Sequence, residues 1–477
     1  MPFEALGEDI LLRIFCFCDI STILTVSAIN KTLRRIALSK QLWLSLVLDP
    51  GFRDALDLPP PDREQLECLS TKDLIAVIKN AVIRPCSIWD FEHDESSMSV
   101  LTSVSIPLDE DNRDRLQARL LPGARYILLH STSTTHRRLC MYDVWSARRI
   151  WEHLVQVRTM CVVDLVPGCS IARIFFAKSL DYSNPSSPLH VEEVDLTTGA
   201  SHELFNFSFH SNVFGVTPCA IVGDFLLGIL HSNNPTYVLI NWRASIFVSL
   251  GHADSYPIPE PCSFTVRRHV ELIPGYILST YLTTSPPYAS ILAATPLEAF
   301  SDRWKPLTEI HTVLAAQLEA RSTSMITIEN ITTQERLEYN HRPLRPASVM
   351  ATPDALHAGV YNISVYGVQF PERRARPVTL MGRIVNRITR RWKGPPKRAH
   401  ALLSYRFTPK QGQASSKLEL VSTRGVANLL QALYSPRAIP SVSGNSVSVV
   451  YRQRRQRTQE PMRRKLPLRF LSSDHRH

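Results

Sequence analysis

The chain has 477 residues, a formal net charge of +11, 44% hydrophobic and 20% charged residues. That balance belongs to globular domains and excludes a wholly disordered chain, and the length allows two or more domains or one small domain plus a repeat array. Met1-Pro2-Phe3-Glu4 has neither the basic start nor the apolar run of a secretory signal, and Val213 to Leu230, the most apolar later stretch, is broken by Pro218 and Asp224, so no membrane span is expected. The nine cysteines show no CxxC pair and no Cys/His zinc spacing. They are expected as reduced thiols in a cytoplasmic or nuclear protein.

Leu6 to Leu48 carries three short helical patterns. Glu8 and Asp9 open the first, where carboxylates suit the positive end of a helix dipole. Ile10, Leu11, Ile14, Phe15 and Cys18 then follow helical spacing, while Leu12 and Phe17 make a second apolar face. Asp19 or Ser21 suits the cap of a second helix with Ile23, Leu24, Val26 and Ala28, and Asn30 the cap of a third with Leu33, Ile36 and Ala37. Leu42 and Trp43 follow a polar break. Spacing alone fits either a helical subdomain packed on the rest of the chain or a docking module.

This stretch resembles an F-box. Leu6, Asp9-Ile10-Leu11-Leu12, Ile14-Phe15, Asp19, Ile23-Leu24, Val26, Asn30-Lys31, Leu33-Arg34, Ile36-Ala37 and Leu42-Trp43 follow that family's pattern in order and without gaps. The chain departs at Gly7, where the family usually has Pro, and at Phe17-Cys18 in place of Phe-Leu. The resemblance implies a three-helix module at residues 1–50 that docks a Skp-type adaptor and, through it, a cullin. On this reading Leu6, Ile10, Leu11, Ile14, Phe15, Ile23, Leu24, Leu42 and Trp43 make or shape the contact.

Residues 49–64 contain three consecutive prolines and are expected as a stiff connector, within a 51–94 linker segment. Ser70 and Asp73 have capping-box spacing before Leu74, Ile75, Ile78 and Val82, and Arg84-Pro85 should end that helix. Leu69-Ser70-Thr71-Lys72-Asp73-Leu74 followed by Pro85 and Trp89 resembles a second block of F-box proteins common in mushroom-forming fungi. This helix is expected to couple the two parts of the chain.

From about residue 95 the pattern becomes short and alternating. Arg125–His130, Leu139–Val144 and Arg149–Leu154 form one set of strand candidates, and Ile174–Ala177, Leu189–Leu196 and Glu203–Phe205 a second. Phe225–Leu230, Tyr237–Trp242 and Ile246–Val248 form a third, and Tyr276–Tyr281 with Ala289–Leu292 a looser fourth. Asp143, Asp195 and Asn241 recur at one place in these units as turn formers. Units of three or four strands at a period near fifty point to β-propeller blades, six to eight in number, with a β-sandwich as the alternative. Further candidates lie at 311–328, 355–370, 400–407, 417–423 and 444–451. The fold class is therefore α+β multidomain, with a β-rich domain over 95–451.

Two basic segments interrupt this plan. Residues 371–398 hold ten Lys/Arg and one acid, and residues 451–469 hold eight and one; without them the remaining 36 basic and 41 acidic residues leave −5. In the first, Met381, Ile384, Val385, Ile388 and Trp392 share a helical face opposite arginines, which fits an exposed loop, an acidic partner or a nuclear import signal. Residues 452–477 are expected as a basic disordered tail with weak, salt-sensitive nucleic-acid attraction as an alternative role. No phosphate loop, dinucleotide fingerprint, HExxH or GxSxG elbow is present. The expectation is a non-catalytic adaptor without cofactor or metal, whose β domain holds a protein substrate. The alternative is a nuclear or nucleic-acid-associated binder.

Overall fold

A computed structural model of the chain describes residues 6–83 except 57 and 59, then 98–108, 116–132, 137–155, 159–178, 187–209, 215–231, 236–252, 269–283, 289–313, 332–369, 399–410, 415–426, 438–440, 447–450 and 464–473. Seven helices come first: α1 (Glu8–Phe15), α2 (Ile20–Ser27), α3 (Lys31–Ala37), α4 (Lys40–Leu48), α5 (Pro50–Ala55), α6 (Arg63–Cys68) and α7 (Thr71–Ile83). Side chains start most of them by satisfying otherwise unpaired amides. Asp19 Oδ1 accepts from Thr22 N at 2.7 Å, Asn30 Oδ1 from Leu33 N at 2.8 Å and Asp49 Oδ2 from Phe52 N at 2.7 Å. At α7 the capping box forms as its spacing predicts: Ser70 N donates to Asp73 Oδ2 at 3.2 Å and Asp73 N to Ser70 Oγ at 3.3 Å.

Helices this short are marginal alone, so their shared core holds them. Leu11, Phe15, Ile23, Leu33, Ile36, Leu42, Trp43, Val47, Phe52, Leu74 and Ile78 are buried in one cluster. Trp43 anchors it, its indole Nε1 donating to Ala37 O at 2.8 Å. Two expectations change here. Leu42 and Trp43 lie on a fourth helix, α4, because Leu42, Trp43, Leu46 and Val47 give it a buried stripe. The expected stiff connector begins with α5, because Asp49 caps it and Pro50 has the backbone angle a first helical residue needs.

Among the described residues the β region forms six antiparallel sheets of four or five strands, read as propeller blades, and one two-stranded hairpin, Glu338–Tyr339 with Arg342–Pro343. Blade I comprises Leu116–Leu120, Tyr126–Thr132, Arg137–Asp143 and Arg148–Leu154; blade II comprises Thr159–Leu165, Ile171–Lys178, Ser187–Asp195 and Ser201–Phe209. Blade III comprises Gly215–Val222, Phe225–His231, Thr236–Asn241 and Ile246–His252, extended by the short strand Lys305–Pro306. Blade IV comprises Val270–Ile273, Tyr276–Leu282, Ser290–Pro296 and Thr333–Arg336; blade V comprises Arg345–Pro353, Tyr361–Gln369, Ala399–Thr408 and Lys417–Val426. Blade VI comprises Ala438–Pro440, Val447–Val450, Arg464–Ser473 and the early strand Met98–Leu108.

The first strands of successive blades II to V lie side by side, and the first strand of blade VI lies beside that of blade I. They therefore line the centre of the ring. Met98–Leu108 pairs with Arg464–Ser473 from Met98↔Ser473 to Leu108↔Arg464, closing the ring with both ends of the domain. Such closure leaves no open sheet edge between first and last blades. The expected disordered tail is thus replaced over Arg464–Ser473 by a strand, because blade VI is completed only by that segment. The domain begins near Met98 and ends beyond the expected 451. Residues 311–313, expected in a strand, are helical. The amphipathic pattern within 371–398 lies outside the described residues.

Apolar clusters fill the seams. Leu128, Leu139, Met141 and Trp151 of blade I pack with Ile174, Phe176 and Val194 of blade II. Phe175 and Val191 of blade II meet Val216, Leu226 and Val238 of blade III, and the III/IV and IV/V seams are built likewise. The turn formers act as expected: Asp143 Oδ1 accepts from Trp145 N at 2.9 Å, Asp195 Oδ1 from Thr197 N at 2.7 Å and Asn241 Oδ1 from Ala244 N at 3.0 Å. The described part of the apolar stretch, Gly215 to Leu230, forms two antiparallel strands around Gly223-Asp224, with an irregular register at Pro218. No described helix is long and apolar enough to cross a membrane.

Candidate functional site

The helical module docks on one end of the ring. Ser21 N donates to Leu356 O at 3.1 Å, and Ala358 N donates to Asp19 Oδ2 at 3.1 Å. Ala355 and Leu356 pack against the helical core. These residues form the turn between the first two strands of blade V, shaped by Asp354 Oδ1 accepting from Leu356 N and His357 N at 2.8 and 3.0 Å. The equivalent turn of blade I approaches α5: a Cβ on Gly123, whose φ is +79°, would stand 2.8 Å from Asp54 Oδ1. Only glycine fits that approach and that backbone angle. The expected coupling helix α7 instead turns Leu74 and Ile78 into the helical core, while Asp19, Ser21 and Asp54 meet the ring.

Away from its core the module leaves large apolar side chains in solvent. Ile10 is 53% exposed, Phe17 85%, Leu24 48% and Ile29 64%. The reason lies in the spacing on α1. Leu11 and Phe15 point inward and Ile14 is partly buried against the same core, whereas Ile10 on α1 and Phe17 in the turn after it face solvent. On α2, Ile20 and Ile23 are buried and Leu24 is not. Exposed apolar groups clustered on one small module mark an interaction surface.

The nine sequence candidates therefore divide. Ile10 and Leu24 are exposed, Leu6 and Ile14 partly buried, and Leu11, Phe15, Ile23, Leu42 and Trp43 interior. The interior five shape the module and cannot touch a partner without unfolding it. Phe17 and Ile29 belong to the exposed set but not to the sequence candidates. Phe17 was visible as part of a second apolar face; Ile29, between α2 and α3, had no periodicity to reveal it. Beside α1, Glu8 and Arg35 form an exposed ion pair at 2.6 Å, of a kind worth about 0–1 kcal/mol. Burial, with a further push from Asp19, raises the Cys18 thiol above its ordinary value and keeps it un-ionised.

Comparison with known proteins agrees on this module. The family model described as F-box domain matches residues 3–45. No curated protein matches the sequence. Solved structures similar to the chain include the WD40 domain of SCAP from fission yeast, at 7% identity and TM-score 0.27, covering 75% of this chain and 84% of that one. The RRP9 WD40 repeats give 9% identity and TM-score 0.29, covering 79% and 98%. The β-propeller domain of Cps50 (Swd1) from Myceliophteria thermophila gives 7% identity and TM-score 0.30, covering 77% and 99%. The six-bladed architecture itself rests on strand pairing within this chain.

Proposed function

We propose that this chain, whose residues 3–45 are an F-box domain, is a substrate-recruiting subunit of a Skp–cullin–F-box ubiquitin ligase. The observation that carries the reading is the exposure of the apolar side chains Ile10 on α1, Phe17 in the turn after it and Leu24 on α2. Burying one such side chain is worth about 1.5–3 kcal/mol, and a few anchors of this kind dominate a docking interface. A Skp-type adaptor is the partner such a domain implies. The ring would hold a protein near the ubiquitin-charged enzyme, raising effective concentration while forming no bond itself.

Attachment at the turns of blades I and V supports this division of labour. Successive turns alternate between the two ends of a blade, so the opposite end, where strands such as Tyr361–Gln369 and Arg148–Leu154 finish, stays away from the helices. The test is binding of a purified Skp-type adaptor to the full chain and to the Ile10→Ala/Phe17→Ala double variant. The native chain should bind saturably, with affinity nearly unchanged between low and physiological salt. The double variant should bind at least tenfold more weakly with unaltered helicity. Equal binding by both, or none by the native chain, would refute the assignment.

A further inference from the structure

A cavity of about 350 Å³ lies between blades I and II. Leu154, Val155, Phe176 and Pro188 give it apolar walls, and His153, His190 and Glu203 supply polar ones. Glu192 is buried against both imidazoles, its side chain 8% exposed. Its Oε2 stands 3.2 Å from His153 Nδ1 and 3.8 Å from His190 Nε2. The other nitrogen of His190, Nδ1, is 3.0 Å from Oε2 of Glu203, which is 52% exposed. The His153 ring stacks on Trp151 at 5.6 Å and on Phe176 at 5.0 Å. The site thus joins two carboxylates, two imidazoles, an aromatic wall and open volume.

The other face of the same strand shows what completes such a set. Neighbouring residues on a strand point to opposite faces, so Glu193 faces away from Glu192. Glu193 Oε2 receives Arg173 Nε at 3.1 Å, and the Arg173 guanidinium carbon lies 5.9 Å from the centre of the Trp242 ring. Carboxylate, guanidinium and aromatic ring are all supplied by the chain at that seam. At the I/II seam, among the described residues, no lysine or arginine pairs with Glu192 or Glu203, and the volume is open. Burial alone would raise the Glu192 carboxyl, but His153, His190 and Ser201 outweigh it and hold the carboxyl ionised. Among the described residues, the cluster holds two carboxylates and no lysine or arginine partner for either.

We propose that this cavity receives an arginine side chain of a bound protein, its guanidinium pairing with Glu203 while its methylenes lie along Leu154 and Pro188. Guanidinium suits the place because it is planar, weakly hydrated and matches a carboxylate in a fixed two-point geometry. Assigning the arginine to a recruited protein rests on the adaptor reading above; affinity for the guanidinium does not. Among the described residues, the charged and titratable groups lining the cavity are His153 from blade I and His190 and Glu203 from blade II, with Glu192 buried behind the two imidazoles.

The test is calorimetry on the full chain with the blocked tripeptide Gly-Arg-Gly and its counterpart carrying citrulline, which has the same shape without the charge. The arginine peptide should bind saturably at pH 8 and the citrulline peptide at least tenfold more weakly. Glu203→Gln should weaken arginine binding at least tenfold, and Glu203→Lys, which places the chain's own cation at the cavity, should abolish it. Glu419→Gln, on the edge of blade V, should leave it unchanged. Glu203 is half exposed, so native thermal melts are expected for all three variants. Equal binding of the two peptides, native affinity in Glu203→Gln, or no arginine binding by a chain that still binds the adaptor would overturn the proposal. Arginine binding without adaptor binding would uphold the cavity and remove the adaptor reading alone.

Discussion

The helical module and the ring handle apolar residues in opposite ways. In the ring each inner sheet is covered on both faces by its neighbours, so a strand can be buried at nearly every position. Thr236 to Ile240 of blade III are all buried, on both faces of their sheet. The module has only one core, and each helix can bury one stripe against it. Apolar residues off that stripe, such as Ile10 and Leu24, face outward. The same residue types therefore sit differently: in the ring they are packed between sheets, and on the module some of them stand in solvent.

The largest break in that contrast should come from Trp43→Ala. It removes the centre of the module's core and the indole bond to Ala37, and should cost about 3–5 kcal/mol. Denaturant unfolding followed by helical circular dichroism should show this, with the β signal changing later. A loss under about 1 kcal/mol would mean that the short helices do not depend on one shared core.

Next in size is the junction. Asp19→Ala removes both the α2 cap and the bond from Ala358, and should cost about 1–2 kcal/mol, read as an earlier helical transition. Acid should act on the same junction. Burial alone would raise the Asp19 and Asp354 carboxyls, yet hydrogen bonds from Thr22 and Ala358 to the first, and from His357 and Leu356 to the second, hold both below the ordinary range. Carboxyls depressed in the folded state contribute stability that is complete above the unfolded value, about pH 4, and is lost as pH falls through the folded values. Limited proteolysis across the junction should accelerate below about pH 4, and Asp19→Asn should flatten that dependence.

Smaller and opposite in sign is Gly7→Pro. Gly7 has φ −58° at the start of α1, and a Cβ there meets nothing within 4 Å. Proline already prefers that angle, so the substitution should stabilise the module by about 0.4–1 kcal/mol, measured as a later helical transition. The smallest effect on folding belongs to Phe17→Ser. That side chain is 85% exposed, so stability should stay within about 0.5 kcal/mol while adaptor binding falls. A large loss of stability would mean that Phe17 serves the module's own core.

Local signals made much of this legible. Asp19, Asn30 and Ser70 were readable as helix caps because a cap is a bond to a residue two or three positions away. Asp143, Asp195 and Asn241 were readable as turn formers for the same reason. The innermost strands were harder: Leu116–Leu120 and Val270–Ile273 are short and contain Arg119 and Glu271, so neither shows a clean apolar run. Phe17 was legible as part of a second apolar face, but Ile29, between α2 and α3, had no helical spacing to separate it from interior residues such as Ile23.

By itself the sequence determined the division into a helical start and a repeating β region, the caps and turns, and the F-box pattern. All of these depend on residues close together in the chain. Tertiary structure alone decided that Met98–Leu108 and Arg464–Ser473 close one blade, that the turns of blades I and V carry the helices, and that His153 meets Glu192. Those outcomes join residues separated by tens to hundreds of positions, and no local propensity encodes them. They follow from covering every blade's faces and edges at once, which only the closed ring achieves.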